Sequence, residues 1–301
     1  MLFENATILT MNTRREIITH GAVATTGKII AAVGKSKEII EQFPDKRRIN
    51  CNGNILLPGL IDTHVHLAQC MLRGATDGGG VDELLEWLTR YIWPLQGSYT
   101  EEDGLASASL CVLEMLKSGT TGFIEVLLAE VYGIDGIAAM CEKAGIRAAL
   151  GKVAMDMTPK NRAMIQMHPG MWEEHETCIS NTLKAHDRWN GAGDGRIQIW
   201  FGARTPGEAI NSGLYDEIGK LANQRNMGIT VHCSELPEHI SYARSQGHHS
   251  PTDFLNAHGA LGSRTVLSHY ILSDKEDWEL VTAAGASVSH NPFSNAKAGW
   301  G

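Results

Sequence analysis

The chain has 301 residues, 43% of them hydrophobic and 20% charged, which suits one large or two modest globular domains and excludes global disorder. A net charge of −8 opposes a nucleic-acid partner, and the basic run Lys46-Arg47-Arg48 is too short to reverse that. The N-terminus lacks a signal-peptide layout, and no apolar run approaches the ~20 residues of a membrane helix, so a cytoplasmic protein without a membrane partner is expected. The six cysteines (51, 70, 111, 141, 178 and 233) are scattered, which fits free, mostly buried thiols in a reducing compartment.

Residues 1–54 read as short strands at Leu2-Phe3, Ala6–Leu9, Ala22–Thr25 and Lys28–Val33, with Gly27-Lys28 as a hairpin turn. Such a patch is too small to stand alone. From residue 55 strands alternate with longer helical segments, and 55–301 is taken as a second domain. Strands are predicted at 55–66, 121–127, 146–153, 196–202, 228–233, 265–269 and 286–290. Helical periodicity fills 101–118, 134–144, 172–190, 214–226, 237–246 and 274–284, with Gly119, Gly145 and Gly285 where helices should end. This alternation predicts a parallel sheet, and the number of units favours a TIM-like (β/α)8 barrel. Seven strands are visible and an eighth is not. Gly191–Gly195 precedes a strand instead of following one, so it reads as a loop and not a nucleotide site.

Chemistry in such barrels sits at the C-terminal strand ends. His66, His232, His269 and His290 fall at those ends in the first, fifth, sixth and seventh strands. The first strand carries His64-Val65-His66, whose alternation turns both imidazoles to one side. With His232 they form a three-nitrogen set that leaves a position for water, the open arrangement of a catalytic zinc. Glu235, in Val231-His232-Cys233-Ser234-Glu235, reads either as a proton shuttle or as the first-turn acid of a helix capped by Ser234. His269 could orient the water or be a satisfied core histidine. Ser289–Asn295 is expected as a polar loop, with Asn291 and Asn295 lining the pocket. The other histidines default to surface roles, with a pocket-facing placement of His248-His249 as the minor alternative. His-Glu-x-x-His, the Walker loop, Gly-x-Ser-x-Gly and the paired-cysteine nucleobase-deaminase signature are all absent.

Taken together, PGLIDTHVHL at 58–67, MLRG at 71–74, EWLTRYIWPL at 86–95, VHCSE at 231–235, SHY at 268–270 and SHNPFSN at 289–295 resemble the amidohydrolase superfamily. Within it they are most similar to the chlorohydrolases and deaminases that act on triazines, guanine and thio- or homocysteinyl-adenosines. The resemblance implies a distorted (β/α)8 barrel with a small β-sandwich formed from both chain ends. It also implies one divalent metal, usually zinc, held by His64, His66, His232 and an aspartate ending the eighth strand. His269 would hold the attacking water, Glu235 would protonate the ring nitrogen, and ammonia would leave.

This chain departs from that pattern in three places. The eighth strand, with its aspartate, lies beyond Gly301, so the barrel is expected to be incomplete. Gln96 stands where adenosine-deaminating members carry a glutamate, and Arg204 where they carry a histidine. A guanidinium there favours an anionic or carbonyl-rich ring over a nucleoside. Trp87 could stack on that ring or fill the core. The expected function is therefore zinc-dependent deamination of an amino-substituted nitrogen heterocycle by a homodimer. Displacement of chloride or alkylamine, and an inactive truncated scaffold, remain as alternatives.

Overall fold

The computed structural model describes residues 1–74, 84–157, 167–206 and 212–300. They form two compact units, Met1–Leu60 and Ile61–Gly301.

The first unit is a five-stranded sheet of β1 (Leu2–Leu9), β2 (Ile17–Thr26), β3 (Ile29–Lys35), β4 (Arg48–Asn50) and β5 (Ile55–Leu56), ordered β3-β2-β1-β4 with β5 also beside β1. The two short strands expected at its start are one strand with an irregular register between Phe3 and Ala6. Asn5, at φ 56°, supplies the kink, a conformation that asparagine tolerates better than most residues. Gly27, also at φ 56°, makes the predicted hairpin turn. The helix Ser36–Gln42 packs Ile39 against Leu2, Ala22 and Ala24.

The predicted strand 55–66 is divided. Ile55-Leu56 pairs with β1, whereas β6 (Leu60–Val65) opens the second sheet after Pro58-Gly59. Proline cannot donate to a ladder, so a break at Pro58 is the physical outcome. The second sheet is parallel and ordered β6 to β12: β7 (Thr120–Leu128), β8 (Arg147–Ala154), β9 (Ile197–Ala203), β10 (Ile229–Cys233), β11 (Thr265–His269) and β12 (Ser287–Ser289). It curls until the first and last strands nearly meet, with the hydroxyls of Thr63 on β6 and Ser289 on β12 2.6 Å apart. Among the described residues no strand lies between them, so the sheet is a nearly closed seven-stranded barrel.

Two glycines permit the tight interior. A Cβ on Gly151 of β8 would come within 2.4 Å of the Glu125 carbonyl, and one on Gly202 of β9 within 2.3 Å of the Val126 carbonyl. The helices lie where periodicity placed them: Glu101–Ser118, Ile134–Ala144, His175–Trp189, Ser212–Arg225, Pro237–Ser245 and Lys275–Ala284. Gly119, Gly145 and Gly285 end three of them with left-handed φ of 90°, 80° and 69°. Gly191–Gly195 is a tight turn with positive φ at Gly191, Gly193, Asp194 and Gly195. Among the described residues no helix is long and apolar enough to cross a membrane.

Candidate metal centre

β6 ends at Val65, and His66 stands at the head of a 3-10 turn, Leu67–Leu72. His64 and His66 nevertheless converge as the alternation argument requires, with ring centroids 5.1 Å apart. His232 of β10 and His269 at the tip of β11 complete the group. His64 lies 4.8 Å from His232 and 4.9 Å from His269, centroid to centroid. Nε2 of His66 and Nε2 of His232 lie 3.3 Å apart. His64, His232 and His269 form a trio whose ligand atoms all lie within 4.8 Å of one another. The expected trio of His64, His66 and His232 overlaps it in two members.

Burial holds all four rings neutral. It takes His64 and His232 well below the ordinary imidazole value, with like-charge repulsion from the neighbouring histidines adding to the effect. His66 falls to about 3, through burial and then the Arg204 guanidinium. His269 is lowered too, mainly by burial. Neutral imidazoles are the form that ligates a metal. Their orientation is set by partners on the outer side: His64 Nδ1 lies 2.8 Å from the Ser268 hydroxyl, and His269 Nδ1 2.8 Å from the Asn295 side-chain oxygen. Two neutral Nε2 atoms 3.3 Å apart, in a buried nitrogen cluster, suit a borderline-soft divalent cation, so the donor set fits zinc.

Glu235 is buried beside this group, with Oε1 3.4 Å from His269 Nε2. The helix that Ser234 was expected to cap begins instead at Pro237, with Leu236 at the N-cap. Ser234 takes φ 51° and so turns Glu235 back toward the barrel mouth. The first-turn role for Glu235 is thereby overturned. Strain accompanies the neighbouring tip, where His269 and Tyr270 sit at φ 69° and 57°. Bonds from the Tyr270 and Leu272 amides to the Cys233 and Ser234 carbonyls, at 3.1 and 2.7 Å, hold it.

The remaining predicted residues divide. Arg204 is buried next to the cluster, where its charge depresses His66 and His232, and its guanidinium lies 5.1 Å over the Trp93 ring. Gln96 is buried one turn along from Trp93 on the short helix Trp93–Gly97. Trp87 is half-buried and packs against the main core, so Trp93 is the tryptophan that meets Arg204. Asn295 is buried with its carbonyl committed to His269, and it lies in a helix, Pro292–Ala298, where a loop was expected. Proline at the first helical position favours that start. Asn291 precedes this helix and accepts from the Ser289 hydroxyl at 3.1 Å.

His290 is exposed and stands outside the imidazole group. His248 and His249 engage Asp253 and Asp274. His239 is buried, contrary to its surface expectation. Glu125 on β7 is the carboxylate missed by sequence reasoning. Its signal was a charge inside the apolar run Phe123-Ile124-Glu125-Val126-Leu127.

The fold and the site define a parallel barrel with an imidazole centre built on its strand tips. Residues 55–301 match the Amidohydrolase family, and the chain belongs to it. It is 30% identical over 297 residues to the 5-methylthioadenosine/S-adenosylhomocysteine deaminase of Pelotomaculum thermopropionicum, covering 99% of this chain and 64% of that protein. It is 31% identical over 297 residues to the 5'-deoxyadenosine deaminase of Methanobrevibacter smithii, covering 99% of this chain and 62% of that one. The chain thus spans less than two thirds of the length of both relatives. Guanine deaminase from C. acetobutylicum with bound guanine superposes at a TM-score of 0.85 and 22% identity, over 100% of this chain and 69% of that one. An adenosine deaminase from Xanthomonas campestris with bound zinc superposes at 0.81 and 24% identity, over 100% and 64%. At those identities the likeness is one of fold.

Proposed function

We propose that this chain carries the catalytic barrel of a metal-dependent deaminase that hydrolyses the exocyclic amine of a nitrogen heterocycle. The observation that carries the reading is the convergence of four neutral imidazoles from three strand tips, two of them buried and two half-buried, with Glu235 beside them. The relatives named as deaminases support the same class. His64, His66 and His232 would hold the cation, zinc by the chemistry of the donors. When bound, it supplies the Lewis acidity that generates hydroxide from water near neutral pH.

The residues of this chain divide the remaining work. Glu235 holds a proton at Oε1 for the ring nitrogen that becomes basic as the ring carbon is attacked. His269, fixed at Nδ1 by Asn295, presents Nε2 to the reacting side and hydrogen-bonds the nucleophile. Arg204, held over Trp93, reads a carbonyl or anionic group on the ring. We infer from Arg204 and Gln96 that an oxidised purine, pterin or triazine-like ring fits better than a 5′-substituted adenosine.

The test is ammonia release by the zinc-loaded chain from amino-oxopurines, amino-oxopteridines, aminotriazines and 5′-substituted adenosines. Release from an oxo-substituted ring, lost in Glu235→Gln, is the expected result. Release from the adenosines alone would overturn the substrate inference. Chloride or alkylamine as the sole product released from suitably substituted triazines would move the chemistry to another leaving group. No turnover by zinc-loaded protein would leave this chain a metal-binding scaffold.

A further inference from the structure

Glu125 lies on β7 with 1% of its surface exposed. Among the described residues no lysine or arginine pairs with it. An uncompensated buried carboxylate is costly, and burial raises Glu125 to about 7 even against the backbone N–H groups that oppose the shift. The cost points to a task, and the geometry shows where that task lies.

The turn Leu67–Leu72 begins directly after His66 and, like any helix start, has backbone N–H groups without local partners. His66 occupies the N-cap position, at φ −116° and ψ 86°, and makes no capping bond with its side chain. Its imidazole is directed into the metal centre instead. The Leu67 N–H is taken from outside the turn, by Glu125 Oε2 at 2.6 Å. The other carboxylate oxygen accepts the Leu127 N–H at 2.8 Å, so the carboxylate is fixed to its own strand. From the opposite side the Ser107 hydroxyl donates to the Leu67 carbonyl at 2.7 Å and accepts the Met71 N–H at 3.2 Å. The peptide joining His66 to Leu67 is therefore held at both ends, its N–H by Glu125 and its carbonyl, that of His66, by the Gln69 N–H at 3.0 Å, while Ser107 fixes the peptide that follows. Since that peptide sets ψ of His66, the clamp sets the direction in which the imidazole leaves the backbone.

We propose that Glu125 is a positioning residue for the metal centre, capping the turn after β6 through the Leu67 amide and thereby aiming His66 at the cation. The inference rests on the reading of His66 as a ligand. Glutamine is the discriminating substitution, because its amide offers one acceptor where the site uses two. Its NH2 group must face the Leu67 or the Leu127 N–H, donor against donor.

The experiment is a zinc-affinity cycle by competition with a chromophoric chelator, using wild type, Glu125→Gln, His66→Ala and the double variant. The thermal transition of each metal-free protein is recorded alongside. Glu125→Gln is expected to weaken zinc about 10- to 100-fold, the usual effect of losing a group that orients a ligand. His66→Ala weakens it at least as much, and adding Glu125→Gln to His66→Ala costs little more. A stabilising role alone would shift the thermal transition and leave zinc affinity at 25 °C unchanged, and that result overturns the proposal. So does a Glu125→Gln effect of the same size with and without His66. Should Glu125→Gln fail to fold, Glu125→Asp keeps two acceptors at shorter reach, and the same cycle is read with it. Wild type that binds no zinc, or His66→Ala that binds it normally, removes the metal reading and this inference together. Normal binding by Glu125→Gln beside a weakened His66→Ala removes this inference alone.

Discussion

The central strands of the barrel and its two outermost strands are built on different terms. β8 and β10 are buried along almost their whole length, as strands between two neighbours should be. β6 and β12 each pair on one side within the sheet and are bare at their N-terminal ends, with Ile61 68% and Val288 44% exposed. Burial returns toward their C-terminal tips, at Val65 and Ser289. Beyond their single ladders, such as the pairing of Ser289 with Ser268, those tips are fixed by side chains: Thr63 to Ser289, His64 to Ser268, and Glu125 to the Leu67 amide. Order in the outer strands is thus concentrated where the chemistry sits. The imidazole cluster joins the well-packed strand β10, at His232, to the outer strand β6, at His64 and His66.

The sharpest way to probe this contrast is to act on one side of it at a time. Glu235→Gln acts at the mouth alone and should lower turnover about 10²- to 10⁴-fold while zinc content stays the same, measured by ammonia release and elemental analysis. On the proposed reading, zinc would tie the outer strand to the centre. At a free concentration about 1,000 times its Kd it should stabilise by about 4 kcal/mol and raise Tm by roughly 10 °C. Amides of β6 should gain more hydrogen-exchange protection than those of β8. Equal gains would break the comparison.

Acid should act on the same junction in the metal-free protein. His66 has a folded value of about 3 against an ordinary 6.5, so the stability it lends is present above pH 6.5 and lost as pH falls toward 3. His64 and His232, lowered in the same direction, add to that loss. Glu125, raised to about 7, runs the other way and lowers stability as pH rises from 4.5 toward 7. The stability of the metal-free protein should therefore fall on the acid side of pH 6.5, by up to about 1.4 kcal/mol per pH unit for each histidine less the opposing contribution of Glu125, and its Tm profile should fall with it. A profile flat down to pH 4 would contradict the neutral, buried cluster. The smallest effect belongs to the bond across the gap: Thr63→Val should cost about 0.5–1.5 kcal/mol, and adding Ser289→Ala should cost only the further bond from Ser289 to Asn291, less than Ser289→Ala costs in the wild type.

Much of this arrangement was legible because it is periodic. The strand–helix alternation placed every strand from β7 to β12 within a residue or two, and the spacing of His-Val-His by itself implies two convergent rings. What was illegible depends on where backbone turns in space. Ser234 looks like a helix cap, and only its left-handed φ shows that it directs Glu235 inward. Trp87 reads as a stacking or core residue on paper, and packing sets it against the core while Trp93 meets Arg204. Asn295 looked like a pocket residue until the helix Pro292–Ala298 set its carbonyl on His269. Glu125 stands as a charge inside an apolar strand, but the Leu67 amide that it holds lies 58 residues away in sequence.

The central claim is that the strand tips assemble one metal site within this chain. Elemental analysis of the purified 301-residue protein, beside His232→Ala, tests it most directly. The account predicts about one zinc per chain, lost in the variant together with the zinc-dependent rise in Tm. Wild type without bound metal, or zinc retained unchanged in His232→Ala, would contradict it.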